Sequence, residues 1–431
     1  MFLKSVHIEN YNQFENLELD LTYPEGHAKA GEPLEKICII GDNGTGKTTI
    51  LELIRDYYNY VWENPEEWKL PDLEKYANSS ISFNNLDKPE RFDFWRDSAG
   101  AKIIYFPTGI DVEELFSKVG NYESNSSEEE QYINRVNKER ELDHKLDLTE
   151  SLFVYNLKNT QVLIIWERLK SKIRPSIEEE LSYRRSLLKG LNEQNEAELD
   201  DIYNKFKAYK KKNPNGYDDL AEFLNPLLNK FHLKLNTKIN LDKFDEIEFL
   251  SLIDKDGNII PIEKWSTGIR QLIYTVLPLY ALKPKTGIIM IDEAENSLYP
   301  STQRSIIDFY KSVCPDMQLI IATHSPILAS SFEPWEVIEL KFNEKGKVER
   351  KPYFKGENHV DNYHIRPMYL QWDSLFMKMF GLENDSNEVR NDMLMELAIL
   401  KRDLKNSNGK DKKELQEKYE KLAEQLDWAT L

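Results

Sequence analysis

Cysteine is nearly absent from this sequence, which has only Cys38 and Cys314 among 431 residues. A single pair of cysteines cannot build a disulfide framework or a four-cysteine zinc site. Cys38 lies in the apolar run Ile37–Ile40, where we expect a small core side chain rather than a reactive thiol. The scarcity of cysteine fits a reducing compartment, and we expect a cytoplasmic protein.

Long apolar runs are also absent. The strongest ones, Val162–Trp166 and Gly287–Ile291, are far shorter than the ~20 residues that cross a bilayer. The first residues do not follow the basic-then-apolar layout of a secretion signal. The sequence therefore predicts neither a membrane span nor export.

Positive charge is in the minority, with 57 Lys and Arg against 75 Asp and Glu and a net charge of −18. Such an excess of negative charge excludes a protein that coats nucleic acid along its whole surface. One local basic cluster interleaves lysines with two aromatic residues: Lys205, Phe206, Lys207, Tyr209, Lys210, Lys211 and Lys212. Two interpretations stay open for it, a solvated helix face and a surface that contacts DNA phosphates.

The hydrophobic pattern changes along the chain and divides it into four regions. Alternating apolar residues and a strand at Ile37–Ile40 open the chain, and a charged, helix-prone stretch follows after about residue 110. Strand patterns return near residue 247, with a hairpin signal at residues 254–257. We predict an α/β head split by an insertion: head 1–110, helical insertion 111–245, head 246–345 and helical C-terminal region 346–431.

The C-terminal region has two amphipathic patterns separated by the break Asn406–Gly409. Together they predict a helical hairpin. The apolar positions are Leu394, Leu397, Leu400 and Leu404 in the first helix, and Leu415, Tyr419, Leu422 and Leu426 in the second.

Residues 41–48 (GDNGTGKT) match the phosphate-loop pattern G-x-x-x-x-G-K-[ST] in full. They lie between a predicted buried strand and a predicted helix, which is the context that this loop needs to bind phosphate. Lys47 would place its charge on the β- and γ-phosphates, and the Thr48 hydroxyl would ligate Mg²⁺. The predicted cofactors are therefore ATP and Mg²⁺, and the predicted nucleotide contacts in this loop are Gly41, Asn43, Gly44, Gly46, Lys47, Thr48 and Thr49.

A second motif, Gly287–Glu293, is an apolar strand that runs into two consecutive carboxylates. This is the Walker B arrangement. Asp292 at the end of the strand would hold Mg²⁺ together with Thr48. Glu293 would face the other way and polarise the attacking water.

Two further segments complete the set of candidate site residues. The apolar run Leu319–Thr323 ends at His324, a position suited to sensing the γ-phosphate. The segment Trp265–Gln271 holds a Ser-x-Gly turn, Ser266 to Gly268, before an apolar helix, and such a turn can offer backbone N–H groups to a phosphate.

The order of these four elements is similar to that of the ABC-type ATPase heads of the SMC, RecF and OLD group. Residues 292–300 (DEAENSLYP) resemble the group's D-E-x-E-x-x-L-H-P element, with Tyr299 where histidine is usual. The Ser-x-Gly signature is degenerate, and no glutamine stands near 106–108, where the group has its Q-loop. The similarity covers about residues 1–110 and 245–345. It implies an α/β fold: a P-loop ABC-type ATPase head, with a mixed sheet and flanking helices.

The resemblance also implies how the nucleotide site is assembled and which partners the protein has. Ser266 and Gly268 would belong to the signature motif that closes on the γ-phosphate held by the opposite protomer, so we expect a homodimer or a higher homo-oligomer. The stretch after His324 is too short for the Toprim nuclease domain of OLD proteins. Heads without that domain resemble the ATPase subunits of anti-phage systems such as Septu, which act with a separate nuclease.

Two functional hypotheses follow. The first is an ATP-hydrolysing switch in an antiviral defence complex that controls a separate effector nuclease. The alternative is a DNA repair or recombination ATPase of the RecF or SMC type that binds DNA directly.

Overall fold

A computed structural model gives the architecture of this protein. It describes residues 2–63, 79–83, 101–108, 154–157, 165, 169, 179, 182–191, 196–212, 216–237, 251–261, 264–382, 387–408 and 410–428. The strands are β1 (Leu3–Tyr11), β2 (Phe14–Asp20), β3 (Lys36–Gly41), β4 (Ser79–Phe83), β5 (Ala101–Phe106), β6 (Val154–Asn156), β7 (Lys234–Leu235), β8 (Leu252–Ile253), β9 (Ile259–Ile260), β10 (Thr286–Asp292), β11 (Met317–Ala322), β12 (Val337–Phe342) and β13 (Val348–Lys351). The helices are α1 (Lys47–Glu63), α2 (Glu196–Lys212), α3 (Gly216–Leu228), α4 (Thr267–Leu282), α5 (Pro300–Val313), α6 (Pro326–Ala329), α7 (Trp372–Met379), α8 (Glu388–Asn406) and α9 (Lys410–Gln425). Residues 182–191 are helical as well.

The main sheet runs in the order β4-β1-β2-β13-β12-β3-β11-β10-β5-β6. Its pairs from β12 to β6 are parallel, whereas β1 pairs with β2 and β4, and β12 pairs with β13, in antiparallel fashion. The strands β3, β10 and β11 are almost wholly buried, as their unbroken apolar sequences predict. The predicted α/β fold, a mixed sheet with flanking helices, is confirmed.

Helices cover both faces of the parallel strands. Ile50, Leu51 and Ile54 of α1 are buried in one core cluster with side chains of β3, β10 and β11. On the opposite face the ring of Tyr274 in α4 lies 6.2 Å from that of Phe106 in β5. Because the strands are parallel, the carboxyl ends of β3, β11, β10 and β5 meet at one edge, where α/β sheets bind their ligands. This edge is called the carboxyl edge below.

A three-stranded sheet of β7, β8 and β9 is separate from the main one. Leu252 and Ile253 pair in antiparallel fashion with Ile260 and Ile259, which confirms the predicted hairpin with its turn at residues 254–257. Residues 247–250 of that prediction lie outside the described residues.

The chain divides into two compact units, residues 1–368 and 369–431. In the second unit, α8 and α9 form the predicted helical hairpin. Leu397, Tyr419, Ala423 and Leu426 are its buried core, and the partly buried side chains against them include Leu394, Leu400, Leu404 and Leu422.

Two of the predicted boundaries differ from the structure. The strand β13 lies in the main sheet beside β12 and β2, so the head extends beyond residue 345. Within the predicted helical insertion, β6 pairs with β5 and also belongs to the main sheet. Both strands are short, with three and four residues, and pairing with a neighbouring strand rather than a long local pattern determines them.

The aromatic residues of the lysine cluster pack inside the insertion. The rings of Phe206 and Tyr209 in α2 lie 5.8 Å and 5.4 Å from the ring of Tyr183. Lys205 forms an ion pair with Asp201 at 2.6 Å. These contacts favour the interpretation of a solvated helix face.

Within the described segments, no helix has the length and apolar character needed to cross a membrane.

Candidate active site

Residues 41–48 form a tight loop between β3 and α1. Gly41 and Gly46 have φ of 151° and 88°, values that residues with side chains rarely adopt. A Cβ atom at Gly41 would lie 2.4 Å from the carbonyl oxygen of Leu340, and one at Gly46 would lie 2.3 Å from Nε2 of Gln13. Glycine is therefore required at both positions, and the loop leads directly into the N-terminus of α1, a phosphate-binding geometry.

Lys47 is buried, and its ammonium is held by the loop itself. Nζ donates to the carbonyl oxygen of Gly41 at 2.8 Å and to that of Asp42 at 3.1 Å. Burial lowers the pKa of Lys47, and the negative charge of Asp292 opposes this shift. Within the described residues the hydrogen bonds of the ammonium go to neutral carbonyl oxygens, and a phosphate could replace these with charge-assisted hydrogen bonds.

Asp292 at the end of β10 meets the first turn of α1. The hydroxyl of Thr48 donates to its Oδ2 at 2.7 Å, and the hydroxyl of Thr108 approaches the same oxygen at 3.4 Å. Burial raises the pKa of Asp292 to about 6; the Thr48 hydrogen bond opposes this rise and the neighbouring Glu293 adds to it. A buried carboxylate beside two hydroxyls is a set of oxygen ligands of the kind that hard cations prefer.

This oxygen set fits Mg²⁺. No group of three or more His, Cys, Asp or Glu side chains that could cage a metal occurs among the described residues. Mg²⁺ is commonly held by one or two carboxylates together with waters and substrate phosphates rather than by such a cage. Thr48 and Asp292 are the residues that would hold it.

Glu293 stands in a left-handed backbone conformation, with φ of 53°. Its N–H donates to the carbonyl oxygen of Ala322 in β11 at 2.9 Å. The amide Nδ2 of Asn296 donates to its Oε2 at 3.0 Å. The turn therefore fixes both the backbone and the carboxylate of the predicted base, because Asn296 holds it from the same turn.

His324 follows β11 and lies at the carboxyl edge, with an exposed side chain. Its backbone N–H donates to Oε1 of Glu295 at 2.7 Å. Since β11 lies between β3 and β10, His324 follows the strand that separates the phosphate loop from Asp292.

Ser266 and Gly268 lie at the start of α4. The Ser266 hydroxyl caps the helix by accepting from the N–H of Ile269 at 3.4 Å. A Cβ atom on Gly268 would lie 2.4 Å from the carbonyl oxygen of Ser297, so its lack of a side chain lets α4 approach the turn after β10. Among the described residues, neither Ser266 nor Gly268 is hydrogen-bonded to the phosphate loop.

The sequence reasoning missed several residues of the site. Thr108 reaches Asp292 because β5 is the neighbour of β10, and Gln13, at the tip of the β1–β2 hairpin, donates to the carbonyl oxygen of Gly44 at 3.3 Å. Glu295 and Asn296 stand inside the quoted DEAENSLYP segment, whose resemblance was the available signal for them. Asn43 and Gly44 are exposed and Thr49 is half-buried.

These features define a P-loop nucleotide-binding site at the carboxyl edge of an α/β sheet. The chain belongs to the AAA ATPase domain family, which it matches over residues 1–329.

Known relatives include two retron proteins. The chain is 23% identical over 397 residues to the Retron Vc95 probable ATPase of Vibrio cholerae serotype O1 biovar El Tor, covering 76% of this chain and 71% of the relative. It is 22% identical over 409 residues to the Retron Ec83 probable ATPase of Escherichia coli, covering 80% and 72%.

Solved structures with similarity to this chain include two SMC heads. One is the Smc head domain of Pyrococcus furiosus with an extended coiled coil, bound to the C-terminal domain of ScpA, at 15% identity and a TM-score of 0.38, covering 81% of this chain and 96% of that one. The other is the SMC head domain from Thermotoga maritima, at 12% identity and a TM-score of 0.38, covering 82% and 99%. The α/β architecture follows from the strand order of this chain itself.

Proposed function

We propose that this protein binds ATP with Mg²⁺ at the carboxyl edge and hydrolyses it to ADP and phosphate. The observation that carries the proposal is the 2.7 Å contact between Thr48 and Asp292. It joins the phosphate loop to the end of β10 through two oxygen groups suited to one Mg²⁺. Residues 244 positions apart in sequence meet in a geometry that a merely structural glycine loop does not need.

Each side chain then has a role. Lys47 would exchange its carbonyl acceptors for the β- and γ-phosphates, and Thr48 and Asp292 would hold the metal. Bound Mg²⁺ would neutralise charge on the phosphate oxygens. Glu293 orients and deprotonates the attacking water while Asn296 holds its carboxylate, and His324 contacts the γ-phosphate.

We further propose that two protomers close on the nucleotide. Ser266 is exposed at the N-terminus of α4 and has no hydrogen bond to the described phosphate loop of its own chain. A helix N-terminus favours anions, and a second protomer can bring this end to the γ-phosphate. Sedimentation of the Glu293→Gln variant with and without ATP tests this step, because an ATP-bound dimer should accumulate. A monomer under both conditions would contradict it.

In the cell, the protein would act as the nucleotide-dependent switch of an antiviral defence complex and control a separate effector nuclease. The names of the two retron relatives support a role as the ATPase component of a larger system. The test has two parts: ATP hydrolysis by the wild type against Lys47→Ala, and co-purification with the product of the neighbouring gene. Wild-type phosphate release no faster than that of Lys47→Ala would reject the enzymatic proposal.

A further inference from the structure

Glu295 is a partly buried carboxylate at the carboxyl edge that the proposed reaction does not use. It lies two residues beyond Glu293, in the turn between β10 and α5. Its Oε1 accepts the backbone N–H of His324 at 2.7 Å. This hydrogen bond joins the turn that follows β10 to the turn that follows β11.

The second oxygen of Glu295 is unusual. Oε2 is buried and has no hydrogen-bond partner among the described residues. A buried carboxylate oxygen without a donor destabilises the folded state, and native proteins contain few such groups. Packing alone does not account for an acid here, because an apolar side chain would leave no unpaired polar atom at this position.

A second contact joins the same two turns. Gln303 in α5 donates from Nε2 to the carbonyl oxygen of Leu298 at 2.8 Å, and its Oε1 accepts from the Ser325 hydroxyl at 2.6 Å. The His324 backbone is thus fixed on one side by Glu295, and the residue after it is fixed by Gln303. The exposed imidazole is carried on a backbone that the turn after β10 holds in place.

We propose that Glu295 is a positioning residue, which fixes the His324 backbone against the turn that carries Glu293. This inference rests on the proposed ATP hydrolysis. Through the bond to His324, Glu295 sets the distance between the water-activating carboxylate and the γ-phosphate-sensing imidazole. Catalysis depends steeply on such distances.

Two reciprocal variants separate the hydrogen bond from the charge. Glu295→Gln keeps an acceptor oxygen of the same reach and removes the charge, so its kcat should stay near the wild-type value. Glu295→Asp keeps the charge but withdraws the acceptor by one methylene, so its kcat should fall roughly tenfold to a hundredfold. KM for ATP should change little in Glu295→Asp, which keeps the charge, and should not rise in Glu295→Gln, because the charge that is removed is a negative one that acts on Lys47. An active Asp variant beside an inactive Gln variant would overturn the proposal.

Thermal stability distinguishes positioning from a structural role. Glu295→Ala should lower kcat as Glu295→Asp does, without lowering Tm, because it also removes the buried unpaired oxygen. Asp308→Ala, an exposed acid on α5, is the matched control and should leave both quantities unchanged. A Tm of Glu295→Ala well below that of the control, with kcat lost in proportion to folded protein, would assign a structural role instead.

A double-mutant cycle tests the route through His324. In the His324→Ala background the backbone N–H remains but the imidazole is gone, so Glu295→Asp should cost less than about twofold in kcat. If the two substitutions instead lowered kcat by independent factors that multiply, Glu295 would act by a route other than His324, and the proposal would be rejected. Failure of the proposed function would look different, because wild-type phosphate release would then equal that of Lys47→Ala.

Discussion

The two ends of the central parallel strands give their buried charged groups different partners. At the start of β3 and β12, the carboxylate of Glu336 is 5% exposed and lies 3.2 Å from the ammonium of Lys36. It also accepts the N–H of Glu333 at 2.8 Å. At the carboxyl edge, the hydrogen bonds formed within the described residues join Asp292 to the hydroxyls of Thr48 and Thr108 and join Lys47 to two carbonyl oxygens.

This difference in partners distinguishes charged groups that pair within the chain from charged groups that a ligand can contact. A counter-charge from the chain offsets part of the cost of burying a charge, as Lys36 does for Glu336. Where the hydrogen-bond partners are neutral, a bound cation or anion can add an opposite charge. The carboxyl edge therefore holds a carboxylate beside hydroxyls that suit Mg²⁺ and an ammonium on carbonyl oxygens that a phosphate can replace, whereas at the opposite end Lys36 and Glu336 pair with each other.

The largest expected effect comes from removing the base at the carboxyl edge. Glu293→Gln keeps the shape of the side chain and an acceptor for Asn296, but it cannot take a proton from water. We expect kcat to fall by 10² to 10⁴, the usual range for a general base, while ATP affinity is kept. Steady-state phosphate release and nucleotide titration measure both; hydrolysis at the wild-type rate would show that Glu293 is not the base.

Lys47→Ala removes the positive charge from the same edge. Charge-assisted hydrogen bonds contribute about 1.5 to 3 kcal/mol each, so ATP affinity should fall tenfold or more. Lys345→Ala, an exposed lysine in the turn after β12, is the control and should bind ATP normally.

His324→Ala should instead lower kcat with little change in ATP affinity. An equal loss of ATP affinity in the Lys47 and His324 variants would contradict the sensor role.

At the opposite end of the strands, Glu336 should make stability depend on pH. Burial raises its pKa to about 7 from an ordinary value of 4.5, although Lys36 opposes the shift. The folded protein thus binds this proton more tightly than the unfolded chain does. The associated stability is fully present below about pH 4.5 and is lost as the pH rises through 7.

The measurement is denaturant unfolding at pH 5 and pH 8. A shift of this size corresponds to a loss on the order of 2 to 3 kcal/mol across that window. Glu336→Gln keeps the acceptor for the N–H of Glu333 and should remove this part of the pH dependence. Glu344→Gln, an exposed acid, should retain it; an unchanged pH profile in Glu336→Gln would rule out this carboxylate as the source.

Gly268→Ala tests a residue that is predicted to bind nucleotide and that packs against the turn after β10. The added Cβ would lie 2.4 Å from the carbonyl oxygen of Ser297, so α4 or the turn after β10 must shift. We expect a loss of about 1 to 3 kcal/mol in the free energy of unfolding and slower hydrolysis. Thr267→Ala, at the exposed neighbouring position, should keep its stability, and a fully stable Gly268→Ala protein would disprove the close contact.

Local motifs made part of the site predictable. The phosphate loop and Asp292 follow from contiguous residues whose chemistry depends on short spacings. Thr108 was missed because it reaches Asp292 only through the pairing of β5 with β10, which no local pattern encodes. Gln13 was missed for the same reason, since its contact with Gly44 depends on where the β1–β2 hairpin lies.

The fold shows the same division. Buried parallel strands such as β3, β10 and β11 have unbroken apolar sequences and were predicted, as was the α8–α9 hairpin from its helical periodicity. The short strands β6 and β13 have no such signal. They are strands because a neighbouring strand offers hydrogen bonds. The sequence prediction therefore placed β6 in the helical insertion, 111–245, and β13 in the helical C-terminal region, 346–431.

The smallest effect is expected in the insertion. Lys205 and Lys207 are exposed there, unlike the buried charged groups at the two ends of the parallel strands. Lys205 is already paired with Asp201, and Phe206 packs on Tyr183. Replacing Lys205 and Lys207 together by Ala should change neither Tm nor ATP hydrolysis. DNA affinity measured at several salt concentrations decides between the two functional hypotheses: the switch hypothesis predicts an unchanged salt slope, whereas direct phosphate contact predicts a slope lower by about one for each lysine lost. Such a lower slope, with ATPase activity intact, would move the assignment towards an ATPase that acts on DNA.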